Sequence, residues 1–313
     1  MGARKLISVV IPAYNEEACI AELHSRLSTV FAGLPQYEYE IILVDNGSAD
    51  DTFGIAYGIN GRDPRFKVIK LTRNFLPEGG IAAGLQAAKG AAAIIMSADL
   101  EDPPEIIPEF LRKWEEGFDN VYGVIEKRSE KGLRSFNAKW FYRVIHRLTG
   151  GMIPKDVADF RLVDRKLYSL INQMPERSRF LRGLFAWPGF PSAGVSFERG
   201  ARHGGQSKAR TLVVMELALR GITGFSDMPL KLPLLLGAAL SALSVLGVLY
   251  CFVRVAFFEW FPMAGLILIM SMNLFLFGLI FIILGIMGEY IGMILREVKG
   301  RPMFIIDKQL GVD

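Results

Sequence analysis

"AAAIIMSADLEDPPE", residues 91–105, is the stretch on which the reading of the fold turns. Its apolar run, Ala91 to Met96, has the length and composition of a strand buried on both faces. The run passes directly into Ser97, Asp99, Glu101 and Asp102, then two prolines, and a helix is expected from Pro104 to Gly117. A buried strand that ends in acids points to a parallel sheet covered by helices, because such sheets bind ligands beyond the carboxyl ends of their strands.

The surrounding 125 residues repeat the pattern. "KLISVVIP" (Lys5–Pro12), "YEIILVD" (Tyr39–Asp45), "FKVIKL" (Phe66–Leu71) and "NVYGVI" (Asn120–Ile125) read as further strands. Helical patterns cover about 16–32, 50–60 and 78–89, so the chain alternates strand and helix as an α/β, Rossmann-like domain does. Glu16, Asp45 and Asp99 all fall at or just past strand ends, which predicts one shared site. Later, "DVADFRLVDRKLYSLI" (Asp156–Ile171) reads as a strand and a helix, and "AGVSFER" (Ala193–Arg199) as a strand. The basic stretch 126–151 fits an ordinary half-exposed helix and a phosphate- or membrane-binding loop equally well. No internal repeat interrupts this order.

The chain of 313 residues is 51% hydrophobic, with a mean hydropathy of +0.30, and the excess lies after residue 230. Leu232–Val253 and Phe261–Gly288 each lack a charged residue and exceed the roughly 20 residues needed to cross a bilayer core. Two membrane spans are expected, preceded by an interfacial helix at 209–230. The expected organisation is a catalytic domain over 1–208, that helix, spans within 231–290 and a cytoplasmic tail over 291–313. Arg220 and Lys231 before the spans, and Arg296, Lys299, Arg301 and Lys308 after them, put both termini in the cytoplasm by the positive-inside rule. The start of the chain carries no signal-peptide pattern, so a multi-pass protein of the inner (cytoplasmic) membrane is expected. Net charge is +4, and its basic residues crowd the membrane segments, so anionic lipid explains them better than nucleic acid. Two isolated spans and an interfacial helix also suit self-association. Cys19 and Cys251 have no metal-ligand spacing and predict no disulfide.

Asp99 and Glu101 stand two apart, so on an extended segment both would point one way. Hard oxygen donors at that spacing suit Mg²⁺ or Mn²⁺ shared with substrate phosphates. Asp102, before Pro103, reads as the cap of the next helix. In "VDNGSADDT", Asp45 is placed to accept from a nucleobase or ribose, while Ser48 or Asp50 would cap the helix that follows. Neither G-x-G-x-x-G nor G-x-x-x-x-G-K-[ST] is present, which argues against dinucleotide oxidoreductases and P-loop enzymes.

"VVIPAYNEE", "VDNGSADDT", "LTRNF", "SADLEDPPE", "VADFRLVDRK", "RFLRGL", "GGQSK" and "GEYIGMILREVKGRPMFII" occur in this order over nearly the whole chain. Together they resemble the family 2 glycosyltransferases of GT-A fold, and more narrowly the polyprenyl-phosphate branch that includes the bactoprenol glucosyltransferases and dolichyl-phosphate mannose synthase. The resemblance implies a mostly parallel sheet, a nucleotide-sugar donor and a membrane polyprenyl phosphate as acceptor. It implies a nucleotide pocket at Pro12, Ala13, Tyr14, Glu16, Asp45, Arg73, Ser97 and Ala98. It implies a metal, Mg²⁺ or Mn²⁺, at Asp99 and Glu101. Arg202 and Lys208 would meet phosphates, Arg128, Lys131 and Arg134 would cover the acceptor, and Asp159 would act as base or position the acceptor. UDP-glucose is the donor expected from likeness to the two-span branch, ahead of another UDP-hexose or GDP-mannose.

Three positions depart from the family pattern: Ser97 replaces the first acid of D-x-D, Asn46 a second Asp, and Gln206 a Glu. A non-catalytic sugar-nucleotide binder is the rival that Ser97 supports. A processive polysaccharide synthase would carry Q-x-x-R-W, and none of the four tryptophans sits in that context. A phosphate monoester has its second pKa near 6 and is largely a dianion at neutral pH. Such an acceptor needs positioning and charge compensation more than a base. Displacement in one step would invert the anomeric centre.

Overall fold

The computed structural model describes residues 4–125, 157–176, 179–200, 239, 246 and 262–312. The chain divides into two compact units, Met1–Gly221 with Arg301–Asp313, and Ile222–Gly300. In the first, β1 (Lys5–Ala13), α1 (Glu17–Ala32), β2 (Tyr37–Asp45), α2 (Thr52–Asn60), β3 (Phe66–Leu71), α3 (Leu76–Ala87) and β4 (Ala92–Ile95) alternate as expected. A single 3₁₀ turn, Pro104–Ile106, leads into α4 (Ile107–Glu115), followed by β5 (Asn120–Ile125). Then come β6 (Val157–Asp164), α5 (Arg165–Gln173), α6 (Leu181–Ala186) and β7 (Ser192–Phe197).

The sheet has eight strands in the order β7-β5-β6-β4-β1-β2-β3-β8, where β8 is Ile306–Leu310. Strands β4, β1, β2 and β3 are parallel, as is β5 with β7, so the mostly parallel α/β sheet holds. β6 runs against both its neighbours, and β8 runs against β3. Neither reversal follows from composition. β8 also lies within the stretch read as a tail: Thr72 N–H donates to Ile305 O at 3.0 Å, and Phe304 packs beside Ile69 and Leu71.

Burial on both faces explains the unbroken apolar strands. Ile41 and Leu43 of β2 join the core under α1, α2 and α4, while Ile42 and Val44 pack on the α3 side. Helix α4 buries Ile107, Phe110, Leu111 and Trp114, one stripe at helical spacing, with charges opposite. Helix α3 lies so close to the sheet that a Cβ on Gly84 would come 2.3 Å from Val10 Cγ1. At the far end from the acids, buried Glu40 accepts from Ser8 Oγ (2.5 Å), Lys67 Nζ (2.6 Å) and Lys89 N–H (2.9 Å). With both oxygens partnered, it pins three elements and is structural.

In the second unit one helix, α7 (Pro262–Val298), is described; its Phe275–Val298 segment is long and apolar enough to cross a membrane by length and composition. At 1.5 Å per residue its 37 residues extend about 55 Å, well beyond a bilayer core of about 30 Å. It runs past the expected end at Gly288, through Glu289 and Arg296. Gly300, in the left-handed region at φ 58°, and Pro302 stop it. The first expected span, 232–253, and the interfacial helix lie outside the described residues, apart from Ala239 and Leu246.

Candidate active site at the carboxyl ends of the parallel strands

Strand register brings the acids together. Ala13 pairs with Asp45 at the ends of β1 and β2, and β4 ends at Ile95 opposite Val10, so the loop from Ser97 leaves the sheet beside those two strand ends. At about 4.8 Å per strand, Asp45 and the loop after β4 are about 10 Å apart with β1 between them. Asp45 is wholly buried. Its Oδ1 accepts the Ser48 N–H at 3.0 Å, whereas its Oδ2 is buried with no hydrogen-bond partner among the described residues.

The loops beside Asp45 are tied by side chains. Asn46 accepts the Phe75 N–H at 2.9 Å and donates to Leu76 O at 2.8 Å, steadying a residue with φ of 64°. An Asp there could not donate to that carbonyl, which gives Asn46 its physical reason. Gly47, at φ 71°, brings the turn against Arg73: a Cβ would lie 2.6 Å from the Arg73 carbonyl carbon. Exposed Arg73 stacks its guanidinium on Phe75, 4.2 Å from the ring centre. After Pro12 and half-buried Tyr14, Asn15 (φ 54°) donates its N–H to Ser48 Oγ at 2.9 Å, and Glu16 N–H reaches Thr52 Oγ1 at 2.9 Å. Ser48 is therefore not a cap. Asp50 takes the first N–H groups of two helices, Thr52 at 3.1 Å and Glu17 at 3.3 Å.

The loop after β4 corrects two expectations. Residues 97–101 are not extended: Leu100 has φ 60°, and Asp99 Oδ1 accepts the Glu101 N–H at 3.2 Å, closing a tight turn. Nor does Asp102 cap a helix, since Pro103 holds the cap position without a side-chain bond. Asp102 is buried, accepts from Ser97 Oγ at 2.6 Å, and lies 3.3 Å from Arg199 Nη2. Burial pushes its carboxyl up, opposed by Arg199 and by the Ser97 hydroxyl. Arg199 also meets Glu101 Oε2 at 3.2 Å. Asp99 and Glu101 are half-buried hard-oxygen donors on one turn. Among the described residues no group of three His, Cys, Asp or Glu forms a ready-made metal cage. Two carboxylates fit a Mg²⁺ or Mn²⁺ ion that completes its shell with water and diphosphate.

Asp159 reaches the same edge by a different route. Arg161 of β6 pairs with Ile95, the last residue of β4, so Asp159, two residues earlier on β6, lies on the side from which the Ser97 loop leaves the sheet. Helix α6 covers this face. Arg182 grips Asp159 through two bonds, Nε–Oδ1 at 2.6 Å and Nη2–Oδ2 at 2.7 Å, and Phe185 stacks on buried Arg161 at 4.6 Å. Packing resists ionisation of Asp159, but Arg182, aided by Arg161 and Arg199, holds its carboxyl at about 2. Burial lowers Arg161 to about 10, a shift that Asp159 opposes.

The structure thus gathers Pro12, Ala13, Tyr14, Glu16, Asp45, Arg73, Ser97, Ala98, Asp99, Glu101 and Asp159 on one edge of the sheet. Arg128, Lys131, Arg134, Arg202 and Lys208 lie outside the described residues. Arg182 and Arg199 were missed as site residues, although "RFLRGL" and the basic stretch from Arg199 mark their places in the sequence.

Comparison with known proteins places the chain among glycosyltransferases. The glycosyl transferase family 2 profile matches residues 8–171. An uncharacterized glycosyltransferase of Synechocystis sp. is 40% identical over 308 residues, covering 98% of this chain and 96% of that protein. The SfII prophage-derived bactoprenol glucosyl transferase of Shigella flexneri is 36% identical over 303 residues, covering 96% and 97%. A prophage bactoprenol glucosyl transferase homolog of Escherichia coli is 35% identical over 303 residues, covering 96% and 98%.

Proposed function

The chain belongs to glycosyl transferase family 2, and from that premise we propose that it transfers glucose from UDP-glucose to undecaprenyl or another polyprenyl phosphate, with inversion. It is a glycosyltransferase of the polyprenyl-phosphate kind, related over nearly its whole length to bactoprenol glucosyl transferases. The observation that carries the reading is the level set of strand ends, with buried Asp45 at one side and the Asp99 turn about 10 Å away. That span suits a nucleoside diphosphate. The base or ribose would donate to Asp45 Oδ2, which has no hydrogen-bond partner among the described residues, and the diphosphate would lie against Asp99.

Asp99 and Glu101 would hold Mg²⁺ or Mn²⁺, which when bound neutralises charge on the departing diphosphate. Glu101 would then exchange part of its contact with Arg199. Helix α7 and the basic residues beyond it would keep the enzyme at the inner membrane, within reach of a lipid acceptor, with the catalytic domain on the cytoplasmic side. The test is transfer of labelled hexose to undecaprenyl phosphate by the purified protein, across a panel of nucleotide sugars with Mg²⁺, Mn²⁺ or chelator. Metal-dependent glucose transfer from UDP-glucose is expected. Transfer only from GDP-mannose would replace the donor, and absence of turnover with every donor would reduce the protein to a binder.

A further inference from the structure

Asp159 and Arg182 are held together at a half-exposed part of the site. The Asp159 side chain is 53% exposed and Arg182 21%, yet the pair is bidentate at 2.6–2.7 Å. Arg161 is buried under Phe185 and bonds to Ala158 and Asp159 carbonyls at 3.2 and 3.4 Å. Asp159 therefore faces three guanidinium groups, Arg182 in contact and Arg161 and Arg199 further off. Arg199 in turn meets Glu101 and Asp102.

We propose that Arg182 receives the phosphate of the acceptor, and that Asp159 is the counter-ion that positions Arg182 rather than a general base. The assignment rests on the polyprenyl-phosphate reading above. Arginine binds a carboxylate and a phosphate with the same planar array of donors, so Asp159, gripping one side of the fork, sets the plane in which the guanidinium would meet a phosphate monoester. The pair lies on β6 beyond the end of β4, with β1 and β2 on the other side of β4, so it stands on the side of the β4 loop away from Asp45. That is where a nucleophile must stand if the nucleoside reaches toward Asp45. In the transfer, an oxygen of the phosphate dianion bonds to C1 of the sugar while the bond from C1 to the diphosphate oxygen breaks and the nucleoside diphosphate departs. No proton has to leave the dianion, so the step needs no base. A carboxyl held near 2 agrees, being a poor proton acceptor.

The experiment uses the full-length protein in detergent with UDP-glucose and a short-chain polyprenyl phosphate such as citronellyl phosphate. Arg182→Ala is expected to raise the KM for the acceptor by at least about tenfold and to leave the KM for UDP-glucose within about twofold. Arg182→Lys should recover part of the loss, since a point charge lacks the fork. Asp159→Asn should also raise the acceptor KM, with Asp159→Glu restoring part of it, and the pH profile of kcat should not change. An unchanged acceptor KM in Arg182→Ala, or a rise confined to the donor, overturns the assignment. So does an Asp159→Asn variant with unchanged acceptor KM and no turnover at saturation, the behaviour of a lost base. If the wild-type protein turns over no sugar nucleotide, the proposed function fails by itself. Binding of citronellyl phosphate, followed by ³¹P NMR, then decides the assignment: weakening in Arg182→Ala supports it, and equal binding in wild type and variant overturns it.

Discussion

Replacing Asp45 by Asn should weaken nucleotide binding while leaving the fold at least as stable. The two carboxylate oxygens have different surroundings: Oδ1 takes the Ser48 N–H, and Oδ2 is buried with no hydrogen-bond partner among the described residues. Asn keeps the first contact through its own oxygen and puts an amide N–H₂ where Oδ2 was. A ligand donor that had bonded to the carboxylate would then meet another donor. Hydrogen bonds to charged groups contribute about 1.5–3 kcal/mol, so the Kd for UDP should rise about 10- to 150-fold. The free protein, meanwhile, loses a buried carboxyl oxygen that has no hydrogen-bond partner among the described residues, a group that is unfavourable to bury. Its melting temperature should hold or increase. Titration calorimetry with UDP and a thermal melt of the same preparations test both halves. A Kd within twofold of wild type, or a clear drop in Tm, would show that Oδ2 serves the fold and would refute the reasoning.

Asp99→Asn should abolish metal-dependent transfer yet leave metal-free UDP binding within about threefold, measured by product formation and calorimetry; near-normal turnover would remove Asp99 from the metal site. Ser97→Ala should lower stability by about 1–3 kcal/mol, because buried Asp102 loses its 2.6 Å donor, and chemical denaturation would read this directly. Asp63 is held at about 2 chiefly by Arg65, against burial and with help from His24. Its folded pKa lies below the unfolded 3.8, so its contribution is present above about pH 4 and is lost as pH falls toward 2. Asp63→Asn should therefore lower Tm at pH 7 and make little difference near pH 2. Equal Tm losses at both pH values would count against this.

The parallel half of the fold was legible because its strands are buried on both faces and so are apolar without a break, as in residues 91–96. Their acidic ends were legible for the same reason, charge being conspicuous after such runs. What the sequence could not give was direction. Nothing in "VADFRLVD" shows that it inserts antiparallel between β4 and β5, and "IDKQL" is too short and polar to advertise an edge strand. Asp102 was misread because an acid before Pro103 matches a local capping pattern. A partner 97 residues away, Arg199, claims it instead. Local patterns report local hydrogen bonds, and a buried carboxylate answers to whatever long-range cation the topology delivers.

The reversal of β6 gives the site its two sides. Were all central strands parallel, every side chain at this edge would come from a carboxyl end, and β6 would present Asp164 there. Running backwards, β6 presents its beginning, and Asp159 arrives beyond the end of β4 with α6 following over the same face. Parallel strands thus supply Asp45 and Asp99, acceptors suited to a nucleoside and a metal. The antiparallel strand and its helix supply a carboxylate bound to a guanidinium, suited to a second anion. On the proposed function, two anionic substrates would approach each other at this edge, and the repulsion between them would be offset from opposite sides. Ser97 stands between those halves. With its proton donated to Asp102, its oxygen is left as a neutral acceptor, where another acid would have added negative charge beside a buried carboxylate.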